Sequence, residues 1–422
     1  MKKILSLLMA SSFAFYMQAC SDNATSAEDD EIDLVSSSSV DKAKSSSSKA
    51  KSSSSKAKSS SSKGKSSSSS VKSSSSSAKS SSSKEKSSSS SADEGSVYVY
   101  FSDWTSPAGE LRWVKDGKIS DDTLQFSQDT KIVGVNGNIF VVESGKGALA
   151  LVDPAKNKPK WQVKLGDGTN PSDVVKANDK EVWVALKDAA KFVKVAIKDG
   201  KVTKTVKTEN LVHTEGHAPH LADFEVRNDT LFAMFQRYVS EGMVTSYDVP
   251  GLIAMYNLDD GEFLDTIRLA KKNPAAMGFA NGELYVGSTG DYSGESDVFG
   301  IEVVDVAKKK SSVLIDGEKF GTLSSGLVSF VVDAEGYAYG SAYKDYNGNV
   351  PLFKIDLSKK SVKTVSGISD VEGSLFFDNA TGTLYIGERG ENAGVYVYKN
   401  DKVSKLKSPK DVLPVNSITV VR

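Results

Sequence analysis

All three histidines of this 422-residue chain fall in one short run, His213-Thr214-Glu215-Gly216-His217-Ala218-Pro219-His220. Neutral imidazole is the commonest metal ligand, and Glu215 adds a carboxylate able to serve as a fourth ligand or as a base. The expected chemistry is a Zn²⁺ or other transition ion held by His213, His217, His220 and Glu215. A His-x₃-His-x₂-His spacing suits one face of a helix, but Gly216 and Pro219 disfavour a helix here. Convergence therefore requires a folded loop. The alternative is a solvated loop whose histidines bond to nearby backbone.

Two acidic stretches suggest a second ion. Asp291, Glu295 and Asp297 in one, with Ser293 between the first two, and Asp345, Asn347 and Asn349 in the other, place oxygens at alternate positions. That is how the first half of a calcium loop curls its ligands inward. Counted from Asp291 the twelfth residue is Glu302, but Ser296 and Val350 stand where an EF-hand loop needs glycine at the sixth position, so neither stretch is an EF-hand. The same residues are also ordinary turn formers. A third set is aromatic or guanidinium-bearing: Trp104, Arg237, Tyr238, Tyr292, Tyr343, Tyr346 and Arg389. Such side chains anchor protein, peptide and glycan ligands.

Several chemistries are missing. There is no Gly-x-Ser-x-Gly elbow, no phosphate-binding glycine loop and no dinucleotide fingerprint. Any Ser–His–acid triad would have to draw on the single histidine loop. Two function classes follow. The first is a non-catalytic module that binds or scaffolds a ligand or protein. The second is an exported metal-assisted enzyme (lyase, hydrolase or oxidoreductase) acting through His213, His217 and His220. Replacing the three histidines separates them, since only the second would lose an activity.

The elements that must position these residues repeat. Short apolar runs recur at intervals of about 41 to 55 residues: Val97–Tyr100, Ile139–Val142, Val182–Val184, Leu231–Met234, Leu284–Gly287, Tyr337–Gly340 and Leu384–Gly387. Turn signals such as Asn136-Gly137 and Asn281-Gly282 precede them, and these pairs tolerate the positive φ of two-residue hairpins. A further strand follows each loop, for example Ala148–Asp153, Leu252–Asn257 and Leu352–Asp356. Four antiparallel strands at this period make a propeller blade, and blades must stack around an axis to bury both faces. The globular part opens on a second strand, Val97–Phe101, and closes on a spare one, Val415–Val421. Pairing the two completes a seventh blade and removes an exposed edge. The predicted fold is all-β, a seven-bladed β-propeller over residues 95–422. On these repeats it resembles the YVTN-type and quinoprotein-like propellers of bacterial surface proteins and periplasmic enzymes. The resemblance implies a binding rim around the central channel.

The N-terminal quarter has a different character. Lys2 and Lys3 precede an apolar run that ends at Met17-Gln18-Ala19-Cys20, and Cys20 is the only cysteine. This resembles the lipobox of bacterial lipoproteins. It implies a signal peptide over 1–19 and a lipid-acylated Cys20, with no disulfides in the mature chain. Residues 20–35 are acidic, and 36–94 are a serine/lysine low-complexity linker carrying blocks such as Ser45–Ser48 followed by Lys49-Ala50-Lys51. Such a segment buries too little apolar surface to offset its ordering entropy and is expected to be a disordered tether. As a flexible chain its ends would average ~40 Å apart. Ser36 to Ser91 holds 12 lysines and two acids, whereas the part from Asp93 onward has 39 basic and 46 acidic residues, a net charge of −7. An acidic exported domain argues against nucleic acid. The cationic linker would contact anionic wall or lipid head groups. The whole reads as an exported, membrane-anchored, monomeric lipoprotein of a bacterial envelope, periplasmic or surface-exposed.

Overall fold

The structure, a computed structural model, describes residues 95–422 apart from 104, 243 and 346–348. Cys20, the signal, acidic and linker segments, and the candidate residues Trp104, Tyr346 and Asn347 lie outside the described residues.

Seven antiparallel blades make the ring: six are four-stranded sheets in chain order, and the seventh, built from both ends of the domain, has its outer strand in two pieces. Blade 2 comprises Thr130–Val135, Asn138–Glu143, Ala148–Asp153 and Lys158–Lys164. Blade 3 comprises Pro171–Lys176, Glu181–Leu186, Lys191–Ala196 and Val202–Lys207. Blade 4 has Leu221–Arg227, Thr230–Phe235, Leu252–Asn257 and Phe263–Arg268, and blade 5 has Pro274–Ala280, Glu283–Ser288, Gly300–Asp305 and Lys310–Asp316. Blade 6 has Leu327–Val332, Tyr337–Ala342, Leu352–Asp356 and Ser361–Thr364, and blade 7 has Leu375–Asp378, Thr383–Glu388, Gly394–Lys399 and Lys402–Lys405. The first strands of successive blades touch one another in a closed ring, which makes them the wall of a central channel.

The ring closes as the repeat demands. Val415–Val421 pairs antiparallel with Ser96–Phe101, from Ser96 opposite Val421 to Phe101 opposite Val415. This strand is then stitched to blade 2: Ile132 N donates to Ser417 Oγ at 3.0 Å and Gly134 N to Thr419 Oγ1 at 2.9 Å. Gly134 is needed there because a Cβ would lie 2.8 Å from Val420 O. The fourth strand of this composite, blade 1, is broken into Lys118–Ile119 and Leu124–Ser127, which pair with opposite ends of Ala108–Lys115. Arg112 fills the break, donating to Ser120 O and Asp121 O at 2.8 Å each.

Second strands are apolar on both faces because each blade is covered on both sides. Val182-Trp183-Val184-Ala185-Leu186 is wholly buried, whereas the outer Val202–Lys207 is nearly all exposed. Seven apolar clusters result, one at each blade boundary. Between blades 3 and 4, Phe192 packs edge-on against Trp183, Phe224 and Tyr256. Trp183 Nε1 donates across that boundary to Leu258 O at 2.7 Å. Each such aromatic pair contributes about 0.5–1.5 kcal/mol beyond its buried area. The hairpin turns follow the expected chemistry, with Asn136 (φ 51°) and Gly137 (φ 67°) both left-handed.

Candidate functional site

Within each blade the first strand runs away from one face of the disc and the second returns to it. The loop after the second strand therefore meets the connection arriving from the previous blade. A backbone bond fixes that meeting in three blades: Lys187 N donates to Asn170 O, Gln236 N to His220 O and Thr289 N to Asn273 O, each at 2.9 Å. The three acceptors are all left-handed, with φ of 46°, 57° and 47°. Asparagine tolerates that backbone through its short polar side chain. His220 occupies the same position in blade 4, so its neighbours must hold it.

They do so from two sides. His220 Nδ1 lies 3.1 Å from Asp188 Oδ1, and the Tyr238 ring stacks on the imidazole at 3.6 Å and 9°. Asp188 also accepts from Asn170 Nδ2 at 2.7 Å. An ionised carboxylate only accepts, so Nδ1 carries the proton. Burial pushes the imidazole pKa down, and Asp188 restores only part of it. Burial works to raise Asp188, but His220, Lys187 and Asn170 outweigh it and hold the carboxylate below its usual range.

Beside this pair stands an element the repeat does not contain. Between the second and third strands of blade 4, Val239–Glu241 pairs with Val244–Ser246 in a separate hairpin. Its base is aromatic. Tyr247 lies 5.7 Å from Tyr238 and 5.9 Å from Tyr292, and both Tyr238 and Tyr247 are buried. Burial, with Tyr292, Tyr238 and Asp291 nearby, drives the Tyr247 phenol pKa far up, so it stays neutral. The outer end is the opposite: Val244 is 69 % exposed, the most exposed large apolar residue described.

Below the rim, the channel wall carries charge. Lys131 of blade 2 binds Asp173 of blade 3 at 2.7 Å. Asp173 Oδ2 accepts from Phe224 N of blade 4 at 3.1 Å, and Asp223 Oδ2 accepts from Met277 N of blade 5 at 3.0 Å. Four first strands are thus linked in series through carboxylates. Lys131 is 45 % exposed, but what it meets is channel space surrounded by protein. Burial opposes its charge, yet Asp173, Asp223 and Glu225 outweigh burial and hold its pKa above the usual range. Burial raises the Asp223 pKa, and the neighbouring Asp173 raises it further against Lys131. Glu225 is pushed up to about 8, first by burial and then by Asp223 and Asp173. Burial and the crowding of carboxylates thus favour the protonated form of both groups. Glu225 also borders a cavity of about 550 Å³ at the opposite mouth, walled by Phe279, Phe376 and Phe377.

The histidines expected to converge do not share one ligand cluster, although His217 lies near enough to His220 to help lower its pKa. His213 and Glu215 are exposed, His217 Nε2 is 3.9 Å from Glu241, and His220 faces Asp188. Among the described residues no group of three or more His, Cys, Asp or Glu is placed to hold a metal ion. In the first acidic loop, Asp291 Oδ2 pairs with Lys272 at 2.9 Å and Asp291 Oδ1 accepts from the Ser293 hydroxyl at 2.6 Å. Glu295 N donates to Ser293 Oγ, and the backbone oxygen of Asp297 receives Lys271 Nζ at 2.6 Å. Asp345 and Asn349 form an isolated bridge. Of the aromatic and guanidinium set, Arg237 and Tyr238 adjoin His220, and Tyr292 joins them through Tyr247. Tyr343 donates to Glu372 Oε1 at 2.5 Å, and Arg389 donates to Val415 O at 3.0 Å, so both brace neighbouring blades. Sequence reading overlooked Asp188, Lys131, Asp173, Asp223 and Glu225. A signal existed for two of them: in Leu221-Ala222-Asp223-Phe224-Glu225 the carboxylates alternate with apolar residues, which puts both on the channel face.

Seven blades, one built from both ends of the domain, around a channel with a charged wall define a seven-bladed β-propeller. No protein-family model matches the sequence, and no curated protein matches it either. Among solved structures it is similar to hydrazine synthase of Kuenenia stuttgartiensis, at 15 % identity and a TM-score of 0.50, over 64 % of this chain and 76 % of that one. Others are apo AztD from Citrobacter koseri (13 %, TM-score 0.48, 77 % and 98 %) and virginiamycin B lyase from Staphylococcus aureus (12 %, TM-score 0.49, 66 % and 83 %). At such identities the likeness is one of fold, and fold alone does not set chemistry.

Proposed function

We propose that this chain is a lipid-anchored protein of the bacterial cell envelope whose propeller binds a protein or peptide partner on its loop face. Among known classes this reading is nearest to the YVTN-type propellers of surface proteins. The anchor rests on Met17-Gln18-Ala19-Cys20 and the apolar run before it. The binding role rests on one observation: the extra hairpin of blade 4. Its base is locked by Tyr238 and Tyr247, and its exposed end carries Val244. A rigid base lowers the entropy cost of association, and an exposed apolar tip gains by being covered.

The test uses a photo-crosslinking residue in the full chain in its native cells. It is placed at Val244, or at Phe263 as a control on an outer strand, where exposure is 45 %. The expected result is a discrete adduct from position 244 only. The same adducts from both positions, or none from 244, would defeat the reading.

A further inference from the structure

The last residue of the second strand is a buried glutamate in two blades, Glu143 in blade 2 and Glu388 in blade 7. Blade 2 shows what this position requires. Glu143 Oε2 accepts from Ser127 N and Lys146 Nζ at 2.9 Å each, and Oε1 accepts from Gln162 Nε2. Leaving a buried carboxylate oxygen without donors is costly, and here none is.

Blade 7 keeps the acid and lacks this set. Glu388 is 2 % exposed, yet its Oε2 has no hydrogen-bond partner. In blade 2, Gln162 lies opposite Ala150, two residues beyond the partner of Glu143. Lys405 holds the corresponding place in blade 7, opposite Tyr396. It turns away, donating to Asn392 O at 2.6 Å with its ammonium 5.3 Å over the Tyr396 ring. Where the missing donors would sit there is a cavity of about 330 Å³, bordered by Glu388, Tyr396, Asn392 and the 367–369 connection. Burial raises the Glu388 pKa and Asp370 raises it further, against a hydrogen bond from the Gly390 backbone N–H to the carboxylate and the charge of Lys405; Oε2 alone is left without a donor. Two carboxylates thus face one ammonium that is already engaged.

We infer that this blade 7 pocket binds the primary ammonium of a small organic cation, which supplies to Glu388 the donors that Ser127, Lys146 and Gln162 supply to Glu143. The ammonium hydrogen-bonds Oε2, and its short apolar body lies along Tyr396. Cation binding draws the proton off Glu388, so affinity rises with pH. The titratable groups facing Glu388 are Asp370 from the connection leaving blade 6, Tyr396 from the third strand and Lys405 from the fourth. The pocket is separate from the hairpin of blade 4 and does not depend on its role.

The experiment measures saturation-transfer NMR of n-butylammonium, 1-butanol and glucose with the full-length protein and with Glu388→Gln. The expected result is saturable butylammonium binding that Glu388→Gln weakens by about tenfold, with 1-butanol weaker by a similar factor. Equal binding of 1-butanol, tighter binding of glucose, unchanged affinity in Glu388→Gln, or no saturation by about 10 mM would each overturn it. Should Glu388→Gln fail to fold, a pH series on the unaltered protein decides. Butylammonium affinity must rise as pH climbs from the ordinary carboxylate range, and a flat or falling curve rejects the site.

Discussion

The imidazole of His220 and the carboxylate of Asp188, 3.1 Å apart, join the start of blade 4 to a loop of blade 3. The pair fixes a histidine where the neighbouring blades use Asn170 and Asn273, at a left-handed φ of 57° that residues other than glycine adopt infrequently. Its first duty is therefore to hold backbone at the rim, beneath the aromatic base of the hairpin.

Asparagine should replace His220 with little loss, because it suits the left-handed backbone. Alanine keeps the strain and forfeits both Asp188 and the Tyr238 stack. His220→Ala is expected to cost about 1–3 kcal/mol in urea unfolding, and His220→Asn clearly less. Equal losses would mean that backbone geometry is not what this residue serves.

Two groups give stability opposite pH slopes. The folded pKa of His220 is depressed below its ordinary 6.5, so below that value the unfolded chain takes up the proton more readily and stability falls as pH drops. The folded pKa of Glu225 is raised from 4.5 to about 8, so between those values the unfolded chain releases its proton first and stability falls as pH rises. Thermal melts of Glu225→Gln should show a shallower decline as pH rises, with Asp223 supplying the remainder, and should keep the loss at low pH. Melts of His220→Asn should do the reverse.

Closure of the ring rests on a close approach of two first strands. A Cβ on Gly134 would meet Val420 O at 2.8 Å and Thr419 Oγ1 at 2.9 Å. Gly134→Val should therefore destabilise by about 1–3 kcal/mol, measured by denaturant unfolding. Removing residues 415–422 should abolish the cooperative transition altogether, since it strips the inner strand from blade 1.

For the anchor, Cys20→Ala should leave an unprocessed precursor that takes up no radiolabelled palmitate. The unaltered chain should label and should sediment with membranes. An unlabelled wild-type chain would remove the lipid from this account.

Much of the architecture could be read from local pattern. Continuous apolar runs such as Ile139–Val142 become second strands because every blade is covered on both faces, and Asn-Gly pairs mark the turns because few other residues accept positive φ. The spare strand Val415–Val421 announced its partner because an open edge is unfavourable. These are short-range rules, and the repeat states them seven times over. The irregular parts obey no such rule. The hairpin of blade 4 interrupts the period, and the broken outer strand of blade 1 depends on where Arg112 reaches.

The chemistry lay further from view. Clustering in sequence suggested that three histidines meet, but a loop containing Gly216 and Pro219 sends them to different neighbours. Asp188 lies 32 residues before His220, and Lys131 lies 42 before Asp173. Such pairs form only because the ring brings one blade beside the next. Glu143 and Glu388 are the same residue at the same strand position, and nothing local tells them apart. Only the packing of loops and outer strands around them gives one carboxylate its donors and leaves the other facing a cavity.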